Sequence, residues 1–226
     1  MKNKIYRLFH WEYWPLLMFY IPNIPLALFY AMKAKSLVFY TGTNPGIENS
    51  GIGSESKYKT LQMIPSKYTP KSILHKKGQN IETTLTQLKI AKITYPIIIK
   101  PDVGFRGVLV KKINTEIALR NYLEKYPINF IVQEFLTNKY ECGIFYSRHP
   151  NEKKGTITSI TLKKFLSVRG DGISTLKELV HLNNRASLYY EILQEDVSID
   201  WNIILKKNTL KKLSSIGNHS KGTQFL

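Results

Sequence analysis

The chain has 226 residues, 43% of them hydrophobic and 12% aromatic, with Lys+Arg 33 against Asp+Glu 16 and a formal net charge of +17. Length and apolar content exclude a disordered chain and allow one substantial core or two small ones. The charge favours anionic partners (nucleotide phosphates, acidic substrates, an anionic membrane surface), while the lack of an RGG tract, an RNP-like aromatic motif or zinc-finger spacing argues against a specific nucleic-acid binder.

Tyr13 to Met32 carries no formal charge and is rich in Leu, Phe, Tyr, Trp and Ile. Pro15, Pro22 and Pro25, with Asn23, divide it into pieces shorter than the ~20 apolar residues of a spanning helix. Two helices meeting at a proline elbow are expected, packed on the domain or lying on a membrane surface, so residues 13–32 are a candidate peripheral membrane contact. Basic residues on both sides (Lys2, Lys4, Arg7; Lys33, Lys35) give no orientation, and no small-x-small cleavage site follows.

Ser36 to Tyr40 predicts a strand running into a glycine-rich loop, Thr41 to Lys57, and then a helix from about Glu55. The loop holds no Walker A sequence, because Gly53-Ser54 has no lysine between its residues. Ile81 to Lys92 has loose helical spacing, and Thr115 to Lys125 is a clearer amphipathic helix capped by Thr115. Between them, Ile97, Ile98 and Ile99 form a β-branched run with Pro96 at its start, ending on Lys100-Pro101. Gly104 and Gly107 follow, then a second apolar strand through Val110. Two glycines in a hairpin also serve as plain turn chemistry. Beside Lys100 and Arg106, however, they make a loop suited to gripping phosphate.

Phe130 to Phe135 and Tyr140 to Tyr146 predict two further strands, Ile157 to Phe165 a third, and Ser174 to Asn183 and Ala186 to Leu193 two helices. The single cysteine, Cys142, permits no internal disulfide, which makes a reducing, cytoplasmic setting the simplest one. It lies inside an apolar run with His149 beyond its end, and is expected to be a small core residue. The order as a whole is α+β with antiparallel hairpins.

This order resembles the ATP-grasp superfamily of carboxylate-amine ligases, such as D-alanine–D-alanine ligase and cyanophycin synthetase. The resemblance rests on the Lys-Pro strand with its glycine loop, the helix, the strand ending Val132-Gln133-Glu134-Phe135-Leu136, then Tyr140-Glu141-Cys142-Gly143, Gly170-Asp171-Gly172 before Ser174-Thr175, and Gly217-Asn218-His219-Ser220-Lys221-Gly222. It covers roughly residues 56–226 as a partial ATP-grasp domain, preceded by residues 1–55 as a hydrophobic helical region. It implies that Lys100 contacts the α and β phosphates of ATP, and that Arg106 with Gly104 and Gly107 covers the outer ones. A further lysine would come from Lys57 or Lys59. Glu134, Phe135 and Leu136 would border the adenine and Glu141 would take the ribose hydroxyls. His219 and Lys221 would stand near the transferred phosphate and the acceptor.

The implied reaction joins a small carboxylate to an amine through an acyl phosphate, by positioning and charge neutralisation. The family's Mg2+ is expected too, but its Glu-x-Asn strand is not found: the acids after Lys164 are Asp171, Glu178, Glu191, Glu195, Asp196 and Asp200. Since the sequence stops just past the acceptor loop, the resemblance implies a chain cut short. The alternative is a catalytically silent nucleotide-binding or membrane-surface protein that lacks the metal-binding acids.

Overall fold

Helices start here where a short polar side chain can take an otherwise unsatisfied backbone N–H. Ser56, Asn80, Thr115 and Thr175 accept from the amides of Lys59, Glu82, Ala118 and Glu178, and Glu178 completes a capping box with Thr175. The computed structural model describes residues 2–104, 107–138, 140–194 and 199–226. In chain order its elements are α1 (Lys2–Phe9), α2 (Leu16–Tyr20), α3 (Ile24–Ala34), α4 (Lys57–Gln62), β1 (Ser72–His75), α5 (Ile81–Ile90), β2 (Ile97–Pro101), β3 (Lys111–Ile113), α6 (Glu116–Lys125) and β4 (Phe130–Glu134). Then come β5 (Cys142–Ser147), β6 (Thr156–Lys164), β7 (Ser167–Arg169), α7 (Leu176–Leu182), α8 (Asn184–Ser187), α9 (Tyr190–Gln194), β8 (Leu210–Lys212) and β9 (Gln224–Phe225).

Contacts divide the chain into two units, Leu17–Thr137 and Met1–Leu16 with Asn138–Leu226. The residue-55 boundary drawn from the family resemblance falls inside the first of these units. In the first unit an antiparallel sheet has the order β1-β4-β2-β3. Ile73, Ile97, Ile99, Ile113, Phe130 and Val132 from the strands pack with Leu85 and Leu88 of α5 and with Leu119 and Leu123 of α6. Strand alternation does the positioning: Ile97 and Ile99 are fully buried, so Lys100 points to the opposite side of β2 from that core.

In the second unit β5 and β6 form a long hairpin with an irregularity between Phe145 and Tyr146, β9 pairs with β6, and β7 pairs with β8. A separate core gathers Leu166, Val168, Leu176, Val180, Ala186 and Leu213. Glu12 is tied to it by a bidentate pair with Arg185, at 2.6 and 2.9 Å, and the same guanidinium donates to the carbonyls of Gly222 and Thr223. Arg185 thereby holds the Glu12 carboxyl below the usual carboxylate range.

The fold class is α+β with antiparallel sheets, as expected, but several elements differ from the sequence reading. Ser36 to Tyr40 does not form a strand: the chain turns there into a 3-10 segment, Phe39–Gly42, and Leu37 is exposed. A strand needs a neighbour to take its backbone groups, and among the described residues this run pairs with none. The second strand of the glycine hairpin starts at Lys111, beyond the turn at Gly107 to Leu109. Ala186 to Leu193 is two short helices, α8 and α9. Cys142 is exposed, because β5 is covered along its edge by β6 and not on its faces.

Within the first unit His75 is buried beside Thr84, sharing a 2.7 Å hydrogen bond with its hydroxyl, and Gln79 donates to the same oxygen at 2.9 Å. Burial pushes the imidazole pKa down. The unfolded chain takes up that proton near pH ~6.5 whereas the folded one resists it, so stability is full above this pH and falls as pH drops below it. We expect the thermal midpoint of the wild type to fall between neutral and mildly acidic pH by more than that of His75→Asn, which cannot titrate; equal slopes would refute this role for His75.

Candidate functional site

The end of β2 is held to the start of α4 by one side chain. Asp102, 4% exposed, follows Lys100-Pro101 and accepts at Oδ1 from the Tyr58 amide at 2.8 Å and from Ser56 Oγ at 3.0 Å. Its own carbonyl accepts from the Lys57 amide at 3.2 Å. A carboxylate at a helix start satisfies free N–H groups and complements the partial positive charge there. The effect is to lay the first residue of α4 against the loop after β2.

Lys57 is that residue. Its Nζ donates to the carbonyls of Gly104 at 2.9 Å and Asp102 at 3.3 Å, which accounts for two of its three N–H bonds among the described residues. With Lys100, Pro101, Gly104, Gly107, Val108 and Val110 it lines an open cavity of about 70 Å³. That is room for a phosphate-sized group and well short of the ~300–1,000 Å³ of sites that enclose whole small molecules. Gly107 takes a left-handed backbone (φ +80°), where a side chain would be strained. Burial first, and the neighbouring Lys57 charge second, push the Lys100 pKa down. Among the described residues neither lysine has a carboxylate within ion-pair distance.

Lys57, Lys100, Gly104 and Gly107, all designated from sequence, thus meet around one cavity. Lys59, the alternative to Lys57, is exposed and reaches toward Glu48 at 3.9 Å. Arg106 lies outside the described residues, as do Glu195 and Asp196. Glu134 closes the sheet against Lys71: its amide donates to the Lys71 carbonyl at 3.0 Å and its carboxylate accepts from the Lys71 amide at 2.7 Å. Its N–H is therefore not available to an adenine rim. Phe135 lies under the Lys112 ammonium at 4.3 Å, and Leu136 is exposed.

Glu141, His219 and Lys221 belong to the other unit. Glu141 was expected to meet a ribose, but its carboxylate is ion-paired with Lys163. It also packs so closely on Gly217 that a Cβ there would stand 2.4 Å from Oε2. His219 stacks on Phe225 with ring centroids 4.0 Å apart and opens the 3-10 turn His219–Lys221, which Asn218 caps. Asp171 caps the turn before α7, accepting from the Ile173 and Ser174 amides and the Ser174 hydroxyl, and these bonds hold its carboxyl at about 2. No group of three or more His, Cys, Asp or Glu side chains able to hold a metal ion occurs among the described residues.

No family model and no curated protein matches the chain. Among solved structures it is similar to a bifunctional glutathione synthetase from Pasteurella multocida, at 14% identity and a TM-score of 0.30, the match covering 70% of this chain and 23% of that one. A likeness at that level decides neither fold nor activity.

Asp102 is the residue that sequence reading passed over; its one local signal is an acid placed directly after a strand-ending Lys-Pro. Removing a buried carboxylate that serves two donors costs about 2 kcal/mol or more. Asp102→Ala is expected to lose about that much in urea unfolding, while Asp171→Ala, an exposed turn residue in the other unit, loses clearly less. Equal losses would deny Asp102 its special place.

Proposed function

We propose that the Lys57–Lys100 cavity grips the phosphates of a nucleotide. What supports this reading is one observation: two ammonium groups, one of them partly desolvated, converge on a phosphate-sized cavity beside a glycine turn, and among the described residues neither has a carboxylate within ion-pair distance. Two like charges brought together out of water repel, and an anion between them turns that repulsion into attraction. The third N–H of Lys57 would serve such an anion, and the glycine backbone permits its close approach.

Read with the motif order of the sequence, the nucleotide is ATP and the reaction is the ATP-dependent joining of a carboxylate to an amine. The carboxylate would attack the γ-phosphate, releasing ADP and giving an acyl phosphate, and the amine would then attack the acyl carbon and displace inorganic phosphate. In this scheme Lys57 and Lys100 bind and orient the phosphates and balance their charge; no side chain acts as a nucleophile. No step is assigned to magnesium. The ion pair of Glu141 with Lys163 supports the second reading, a nucleotide binder without turnover, because it occupies the carboxylate meant for the ribose.

Calorimetric titration with ATP tests the site. Wild type should bind, Lys100→Ala and Lys57→Ala should each bind roughly ten- to a hundredfold more weakly, and Lys59→Ala should be unchanged. Equal affinity in all four proteins, with the variants shown to be folded, would remove the assignment. Phosphate release on adding carboxylate and amine mixtures separates the ligase from the silent binder.

A further inference from the structure

The helical run Leu17–Ala34 is 18 residues long and 6% buried, with a mean hydropathy of 1.2. At 1.5 Å per residue it extends about 27 Å. Leu17, Ile21, Leu28 and Met32 fall on one side at helical spacing and Leu26 on the opposite side, and each is more than half exposed. No acidic residue occurs from Tyr13 to Ile47, while Lys33 and Lys35 close the run and Trp14, Tyr20 and Tyr30 stand along it. The 3-10 turn Ile21–Asn23 joins α2 to α3, and the Asn23 amide donates to the Phe19 carbonyl at 2.7 Å, so part of this polar group is satisfied inside the run.

An apolar surface of this extent left in water marks an interaction site, and a helix apolar on all sides is solvated by protein or by lipid. Its aromatic and basic flanks match the headgroup layer of an anionic bilayer. Crossing is ruled out by a parity argument. Glu12 precedes the run and Arg185 follows it, yet the two are bonded at 2.6 Å. Among the described residues the run is the one helix long and apolar enough to cross a membrane. A single crossing would leave Glu12 and Arg185 in different compartments. The run must enter and leave lipid on the same side.

We propose that Leu17–Ala34 is immersed in an anionic lipid bilayer from one face, without crossing it, and anchors the chain to the membrane surface. The purified full chain, carrying a cleavable tag at each terminus, would be added to sealed vesicles of phosphatidylcholine and phosphatidylglycerol and floated on a density gradient. It should float with the vesicles, remain bound in high salt, bind vesicles of phosphatidylcholine alone more weakly, and lose both tags to external protease. The double variant Leu26→Lys, Phe29→Lys, at two exposed positions, should lower the bound fraction at least about tenfold. Any of five results would overturn the proposal: no flotation, release by salt alone, no preference for the anionic vesicles, protection of one tag, or a double variant that floats like wild type.

Discussion

The arrangement of the candidate site depends on a buried carboxylate. Asp102 is fixed at the end of β2 by the bond from its own amide to the Asn129 carbonyl, and it fixes α4 in turn through the Tyr58 amide and the Ser56 hydroxyl. A buried carboxylate is costly unless it is hydrogen-bonded, and here a helix N–H and a hydroxyl both donate to its Oδ1. The helix start is thereby drawn to the strand end. Lys57 and Lys100 are brought to one cavity as a by-product of satisfying Asp102.

The β2 alternation supplies the other half of the geometry. A strand that buries Ile97 and Ile99 has to send Lys100 the other way, and a pleated strand offers no intermediate choice. The sheet therefore forces a lysine into a partly desolvated position near a second one, at a cost in repulsion that the bare protein does not relieve. Strain of this electrostatic kind is what a binding site for anions stores before its ligand arrives. In the other unit the charges are disposed the opposite way. Glu141 has Lys163 and Glu12 has Arg185, so both carboxylates are satisfied within the protein, and neither stores repulsion for a ligand to relieve.

Elements with a strong local signal were legible. The β-branched run of β2, the Thr115 cap of α6 and the Thr175 cap of α7 each carry their cause within a few residues. Ser72–His75, Ser167–Arg169 and Leu210–Lys212 were not seen, since strands of three or four residues exist through their partners, some of them far off in sequence. The reverse error, a strand at Ser36 to Tyr40, has the same origin: β-type residues without a partner remain turns. Cys142 shows that an apolar run can pair as a strand without being buried. The site divides along the same line. Lys100 and the two glycines were legible from one hairpin, whereas the role of Asp102 spans 44 to 46 residues of sequence to Tyr58 and Ser56, and the capture of Glu141 by Lys163 spans 22.

The net charge of +17 bears on two kinds of anion with unequal force. Lys100 acts from a partly desolvated position, where screening by salt is weak and one charge counts for much. Lys33 and Lys35 are exposed, so at physiological ionic strength, where the Debye length is about 8 Å, their pull on a membrane fades within a short distance of the surface. Surface charge can steer the chain toward an anionic bilayer but cannot keep it there in salt. Retention has to come from the apolar residues of α2 and α3, whose transfer out of water does not depend on salt in this way. On the proposed readings, nucleotide affinity would rest on the partly desolvated Lys57 and Lys100 and membrane affinity on exposed apolar area, with most of the remaining lysines as solvated surface.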